Sequence, residues 1–354
     1  MGMLSHGRRD DPCAKGRLCG PDRVRGGRRT VTGSGIYGST VIERHPSFEG
    51  ANIATGLGFK HIMYLLEDAV VQHFRARGLG PQLLYERHGL CMEVVDSDAR
   101  LLTGTNLDDQ VRVEVWTELE PPLSELPFFT QMYVRRGDKE VKSVSGRVRV
   151  LLRRDESASA EAPPPAELAM YVAAEINRQP SRPDPGVGGA LAAGVGDEEQ
   201  LRQVLAPAGT NAFVWKRRVP YFYCHYGARL QHSGYLRLLE EVVDRFLADR
   251  GISIRTMLEG RRWIPIVTKA RVEMLREALM EEDIYTVFTV EAVFKRFTYT
   301  GRMDCYVVRG GELLRTATGR ITHGYLELRS RQDWSLASLD DATLRALGGG
   351  GAAP

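Results

Sequence analysis

Apolar residues recur at helical spacing in two long windows, 57–77 and 230–250. In the second, Leu236, Leu239, Val242, Val243 and Phe246 fall on one face. Both windows end in Arg-Gly, at Arg77-Gly78 and Arg250-Gly251, a basic last turn followed by a helix stop. After each helix the period drops to two. Val111, Val113 and Val115 alternate with Arg112, Glu114 and Trp116, and Ile284, Val287, Phe288 and Val290 mark the matching strand later. Further strands are predicted over 128–135, 140–152, 299–308 and 312–328. Short strands over 38–43 and 213–219 and loops over 47–56 and 220–229 precede the helices. Arg136-Gly137-Asp138 and Arg309-Gly310-Gly311 read as hairpin turns.

The two windows belong to a repeat. Moving the first segment by 173 positions lays it on the second without a gap from Asn52 to Arg154. Leu65, Leu66 and Glu67 fall on Leu238, Leu239 and Glu240, Glu118 on Glu291, and Gly146-Arg147 on Gly319-Arg320. The order in each copy is strand, loop, one long helix and four antiparallel strands, so the helix must pack on the concave face of a curled sheet. Residues 35–155 and 208–330 are the two copies. Between them, 156–207 is rich in Pro, Ala, Gly and acidic residues, as linkers are, with room for a short helix over 167–178. Residues 1–34 are Gly- and Arg-rich without apolar period and are expected to be disordered. Residues 331–354 form a C-terminal tail.

Charge refines this picture. The formal net charge is +3, but residues 1–30 carry eight basic and three acidic side chains, which leaves the remainder slightly acidic. A broad nucleic-acid footprint is therefore not expected. No apolar run is long enough to span a membrane. The five cysteines, Cys13, Cys19, Cys91, Cys224 and Cys305, form no CxxC pair. That pattern disfavours a zinc or redox motif and fits a reducing cytoplasm.

The stretch from Arg218 to Glu241 resembles the 4-hydroxybenzoyl-CoA thioesterase-like family. That family carries a strand, an Asp-x-x-Gly-His-Val-Asn-Asn loop and a helix that begins Tyr-Leu, with Glu two turns on. Tyr235-Leu236 and Glu240-Glu241 match this helix without a gap. The resemblance covers both copies and implies an α+β protein of two tandem hotdog folds, each a long central helix wrapped by a curled antiparallel sheet, forming a pseudo-dimer. At the family's catalytic Asp this chain has His225 in the second copy and Asn52 in the first. A second branch of the family uses a carboxylate inside the helix, where Glu67 and Glu240, or the adjacent Asp68 and Glu241, stand.

A thioester needs a polarised carbonyl, an activated nucleophile and an apolar slot. Backbone N–H groups at the helix N-terminus supply the first. Gly56 and Gly58 in the first copy, and Gly227 in the second, would admit a ligand close to the backbone. His225 suits a general base near neutral pH, and His232, one turn on, could orient water. Glu67 and Glu240 sit on otherwise apolar helices, where a buried carboxylate serves as base or acid. Because hotdog sites form between units, His225 is expected opposite Glu67, and Asn52 opposite Glu240. Tyr221, Tyr223, Tyr226 and Tyr235 cluster around His225, with Gln231 in the same loop. Arg217, Arg218, Arg261 and Arg262 are candidate contacts for carrier phosphates.

The resemblance implies hydrolysis of an acyl thioester on coenzyme A or an acyl carrier protein, in bacterial lipid or polyketide biosynthesis. Dehydration of a 3-hydroxyacyl thioester, or non-hydrolytic acyl binding that assists cyclisation, are the alternatives. No cofactor or metal is expected, and coenzyme A or phosphopantetheine enters only within the substrate. A homodimer through sheet edges and a monomer both remain open.

Overall fold

The period-two segments fold into one antiparallel sheet that runs through both copies. The computed structural model describes residues 29–32, 35–119, 124–157, 159–182, 198–331 and 333–348. In the first copy β1 (Arg29–Thr32) and β2 (Ser39–Arg44) precede α1 (Phe59–Arg75) and α2 (Pro81–His88). Then come β3 (Leu90–Leu101), β4 (Val111–Thr117), β5 (Leu126–Arg136) and β6 (Lys139–Arg154). The connection carries β7 (Val172–Ala173) and α3 (Glu198–Leu205). The second copy starts with β8 (Phe213–Arg218), β9 (Cys224–His225) and β10 (Arg229–Leu230), followed by α4 (His232–Asp249) and α5 (Ile254–Arg261). It continues with β11 (Trp263–Met274), β12 (Asp283–Phe294), β13 (Thr298–Arg309) and β14 (Glu312–Leu328), and ends with β15 (Trp334–Leu336) and α6 (Asp341–Gly348).

The repeat read in the sequence is repeated in the backbone. α2 and α5, and β3 and β11, are displaced by the same 173 positions at both ends. Even the irregularities recur: β3 slips against β6 between Val94 and Asp96, and β11 against β14 between Val267 and Lys269. Such bulges bend a strand, so their recurrence gives both sheets the same curl.

Each curled sheet buries one long helix. Met63, Leu66, Val70 and Phe74 of α1, and Leu236, Leu239, Val242 and Phe246 of α4, are essentially inaccessible to solvent. Burying each such side chain contributes about 1.5–3 kcal/mol. The fit is close at Gly146 on β6, where an added Cβ would lie 2.6 Å from Leu66 and 3.0 Å from the Asp98 carbonyl.

The two sheets join where β3 pairs with β11. Asp98 lies opposite Arg271, its own counterpart in the repeat, so a pseudo-two-fold axis passes through that pair. Arg271 also binds the buried Asp96 with both arms, at 3.0 and 2.7 Å. The connecting segment strengthens this seam. Arg178 donates to the carbonyls of Val95 on β3 and Met274 on β11, at 2.9 and 2.7 Å.

The tandem α+β expectation holds, with four corrections of detail. Each copy has a second short helix, begun by Pro81 at the first turn in α2 and by Ser253 accepting from the Thr256 N–H in α5. The disorder expected through residue 34 fails at Arg29–Thr32, which pairs with β2; residues 1–28 and 33–34 lie outside the described residues. The helix expected over 167–178 is a 3-10 turn, Ala166–Tyr171, that anchors Leu168 and Tyr171 in the core before β7 starts. The segment after 330 is packed as well: β15 pairs with β14, and Leu339 and Leu347 are buried.

Candidate active site

Two cavities flank the pseudo-two-fold axis, each between the loop of one copy and the long helix of the other. One, of about 400 Å³, takes Tyr64, Glu67 and Asp68 from α1 and His225, Tyr226, Gln231 and His232 from the second copy. The other, of about 990 Å³, takes Arg237, Glu240 and Glu241 from α4 and Asn52, Ile53, Gly58 and Phe59 from the first copy. Every one of these positions in one cavity is the repeat counterpart of one in the other. The pairing of loop with opposite helix is the one expected from the sequence.

Their chemistry differs. In the smaller cavity, two imidazoles of the second copy reach two carboxylates of the first. His232 Nδ1 lies 2.8 Å from Glu67 Oε1, and His225 Nε2 lies 2.8 Å from Glu93 Oε2. His232 is 2% exposed, and its Nε2 lies 3.1 Å from the Val272 carbonyl. A carbonyl only accepts, so Nε2 carries a proton, and Nδ1 shares one with Glu67. Burial is the largest influence and opposes a charge on this ring, but the Glu67 carboxylate, the Val272 carbonyl and Asp96 together hold the His232 pKa above its ordinary value. Both His232 ring nitrogens are thus engaged by protein groups, Glu67 and the Val272 carbonyl.

Glu93 is the residue the sequence reading missed. It is 1% exposed on β3, among apolar neighbours. A buried carboxylate needs partners, and Arg153 supplies two contacts at 3.3 Å. Arg153 in turn meets Glu277, which binds Arg229 beside the His225 loop. The signal was present as a carboxylate set between Cys91-Met92 and Val94-Val95 in the apolar first half of β3. Nothing in spacing, however, links residue 93 to residue 225. His225 therefore pairs with Glu93, while Glu67 enters the same cavity through His232.

Local backbone sets the imidazoles in place. Tyr226 adopts φ +44° and Gly227 φ +91°, turning the chain back so that β9 and β10 pair. The Tyr226 ring lies 4.7 Å from the His225 ring, and burial pushes its hydroxyl up to about 12. Gln231 occupies the N-cap of α4 in extended conformation but makes no side-chain cap. First-turn N–H groups there are left without a side-chain acceptor.

In the larger cavity the same positions carry no imidazole. Asn52 replaces His225, Phe59 replaces His232, and Ile266 stands where the first copy has Glu93. Asn52 is used locally, its Oδ1 accepting from the Ile53 N–H at 2.8 Å. Glu240 is held by Lys60 at 2.6 Å. Gly56 and Gly58 line this cavity, as does Tyr223, over whose ring Arg217 and Arg237 both stack at 4.9 Å.

Other expected site residues lie elsewhere. Tyr235 is wholly buried in the core, and Gly227 forms the turn and lines neither cavity. Tyr221 is 73% exposed. Arg217, Arg218 and Arg261 are engaged by Glu241, Glu281 and Asp340, and Arg262 ends α5 at φ +56°. His61 lines the smaller cavity with its pKa lowered by burial, and Asp68 pairs with Arg44 at its rim. Among the described residues, no three His, Cys, Asp or Glu side chains group as metal ligands, and no helix is long and apolar enough to cross a membrane.

Residues 219–347 match the family model of the Thioesterase-like superfamily. The chain also superimposes on whole acyl-ACP thioesterases. The 12:0-ACP thioesterase of Umbellularia californica has 10% identity and TM-score 0.53, with 83% of this chain and 99% of that one covered. An acyl-ACP thioesterase of Bacteroides thetaiotaomicron has 11% identity and TM-score 0.51, with 80% and 97% covered. The chain is a double hotdog that resembles the thioesterase-like superfamily. No curated protein matches it. At these identities the structures establish the fold, and the double hotdog's chemistry rests on its own residues.

Proposed function

We propose that this protein hydrolyses an acyl thioester of coenzyme A or an acyl carrier protein in the smaller cavity. The observation that carries this reading is that His225, His232 and Glu67 line that one cavity, each imidazole paired with a carboxylate of the other copy: His232 with Glu67, and His225 with Glu93 buried behind the cavity wall. The thioester carbonyl lies at the N-terminus of α4, where free N–H groups stabilise a developing oxyanion. Glu93 accepts from His225 Nε2 and so leaves Nδ1 as the basic nitrogen. Water held by Glu67 attacks the carbonyl carbon as its proton passes to His225. The tetrahedral intermediate then collapses, the C–S bond breaks, and the thiolate takes that proton from His225, giving a carboxylic acid and a free thiol. The superfamily match and the acyl-ACP thioesterase fold support this reaction class. Release of acyl chains in bacterial lipid or polyketide biosynthesis, in the cytoplasm, is the role we assign to it.

Incubation with a panel of acyl groups on carrier protein and on coenzyme A, read by intact mass, tests the proposal. We expect loss of the whole acyl group, about 10²- to 10⁴-fold slower in His225→Ala. Unchanged masses across the panel, or loss of one water with the thioester intact, would overturn it.

A further inference from the structure

The larger cavity lacks the imidazoles, yet it is built to hold something. Beyond the positions shared with its twin, it extends between α4 and the second sheet, along Val243, Ile264, Ile321 and Leu326. His323 also lines this extension; it is 5% exposed, and its Nδ1 has no hydrogen-bond partner. Its ring lies 5.4 Å from that of Tyr299 and 5.7 Å from that of Tyr325. Both tyrosines are fully buried, with their hydroxyls facing each other, so the His323 Nδ1 is the polar atom left without a partner.

The first copy shows that the fold does not need these groups. The counterparts of Tyr299, His323 and Tyr325 are Leu126, Val150 and Leu152, all buried. An apolar trio thus fills the same space in the same fold. Leaving buried polar atoms unpaired is unfavourable, and each such group calls for a reason. Burial lowers the His323 pKa to about 4, so its ring is neutral at pH 7 and offers one donor and one acceptor. A hydroxyl both donates and accepts, so it can answer Nδ1 in either tautomer.

We propose that the larger cavity is a second, non-hydrolytic binding site for an aliphatic acyl chain that carries a hydroxyl group, with His323 as the residue that recognises the hydroxyl. The carboxyl end of the chain lies at the mouth by Asn52, Lys60 and Arg237. The hydrocarbon runs along the apolar extension, and the hydroxyl reaches His323. No bond is made or broken, because the positions that hold the two imidazoles and Glu93 in the twin cavity are here Asn52, Phe59 and Ile266.

Calorimetric titration with free ω-hydroxy acids of eight to twelve carbons, against the unsubstituted acids, tests this without any turnover. The wild-type chain should prefer the hydroxylated acid of the fitting length by about tenfold. His323→Leu, which restores the apolar character of the first copy, should abolish the preference and keep a native melting curve. Leu326→Trp, at a half-buried wall position, should weaken both series. An equal affinity for both series in the wild type would overturn the proposal. So would a preference that survives in a folded His323→Leu protein. Since free acids are not hydrolysed, loss of the preference and loss of thioester hydrolysis are separate results.

Discussion

The two cavities occupy counterpart positions of one duplicated fold and differ in size and in what three residues bring. His225, His232 and Glu93 give the smaller cavity two cross-copy imidazole–carboxylate pairs; Asn52, Phe59 and Ile266 give the larger cavity none. Both helices nonetheless keep a glutamate at the same place. Glu67 is held by an imidazole and Glu240 by a lysine. A lysine partner neutralises a carboxylate as a fixed cation, whereas an imidazole can exchange a proton near neutral pH. On the proposed mechanism, the partner and not the position makes a hotdog glutamate reactive.

The comparison breaks most visibly at the glutamates. Glu67→Gln is expected to slow acyl release by about a thousandfold, as measured by single-turnover intact mass. Importing the other cavity's residue is the next largest change. His232→Phe leaves Glu67 without its partner and should cost about 3 kcal/mol of stability in urea unfolding, with turnover falling in parallel. If His232→Phe keeps full turnover, a role for His232 in positioning Glu67 is wrong.

Acid should separate the copies too. Burial holds His73 in the first copy and His323 in the second at a pKa of about 4. Each therefore contributes stability that is complete above pH about 6.5 and is lost as the pH falls toward 4, by up to about 3 kcal/mol per group. His232 runs the other way. Its raised pKa contributes stability below pH about 6.5 that is lost as the pH rises through the raised value. Urea titrations between pH 4 and 7 should show a flatter acid limb in His323→Leu; an unchanged slope would contradict a buried neutral ring. The smallest contrast lies in packing. Gly146→Ala drives a Cβ into Leu66 and the Asp98 carbonyl, whereas at Gly319, its counterpart, the nearest atom is 3.1 Å away. We expect Gly146→Ala to cost about 2 kcal/mol and Gly319→Ala less, by thermal melting.

The architecture was legible in the sequence because both of its periods, 3.6 and 2, recur after a constant shift. The long helices were expected over 57–77 and 230–250 and fold as Phe59–Arg75 and His232–Asp249, their ends trimmed where Gly58 and Gln231 adopt extended N-caps. The second helices were not foreseen. They are only eight residues long, so their capping residues and not their apolar period carried the signal. At the site, His225, His232 and Glu67 were legible from loop and helix positions. Their partners were not, because the Glu93–His225 contact spans 132 positions and depends on how two sheets meet. Tyr235 was misplaced for a related reason. Its match to the family's helix start was real, but the side chain points into the core, where it is wholly buried.

The central claim is that partner, not position, sets reactivity, and one paired measurement tests it most directly. Glu67→Gln and Glu240→Gln proteins would be compared in single turnover on the best acylated carrier. The account predicts a loss of about a thousandfold for the first and less than about threefold for the second, the range of an ordinary surface change. Equal losses, or a larger loss in Glu240→Gln, would contradict it and move the chemistry to the larger cavity.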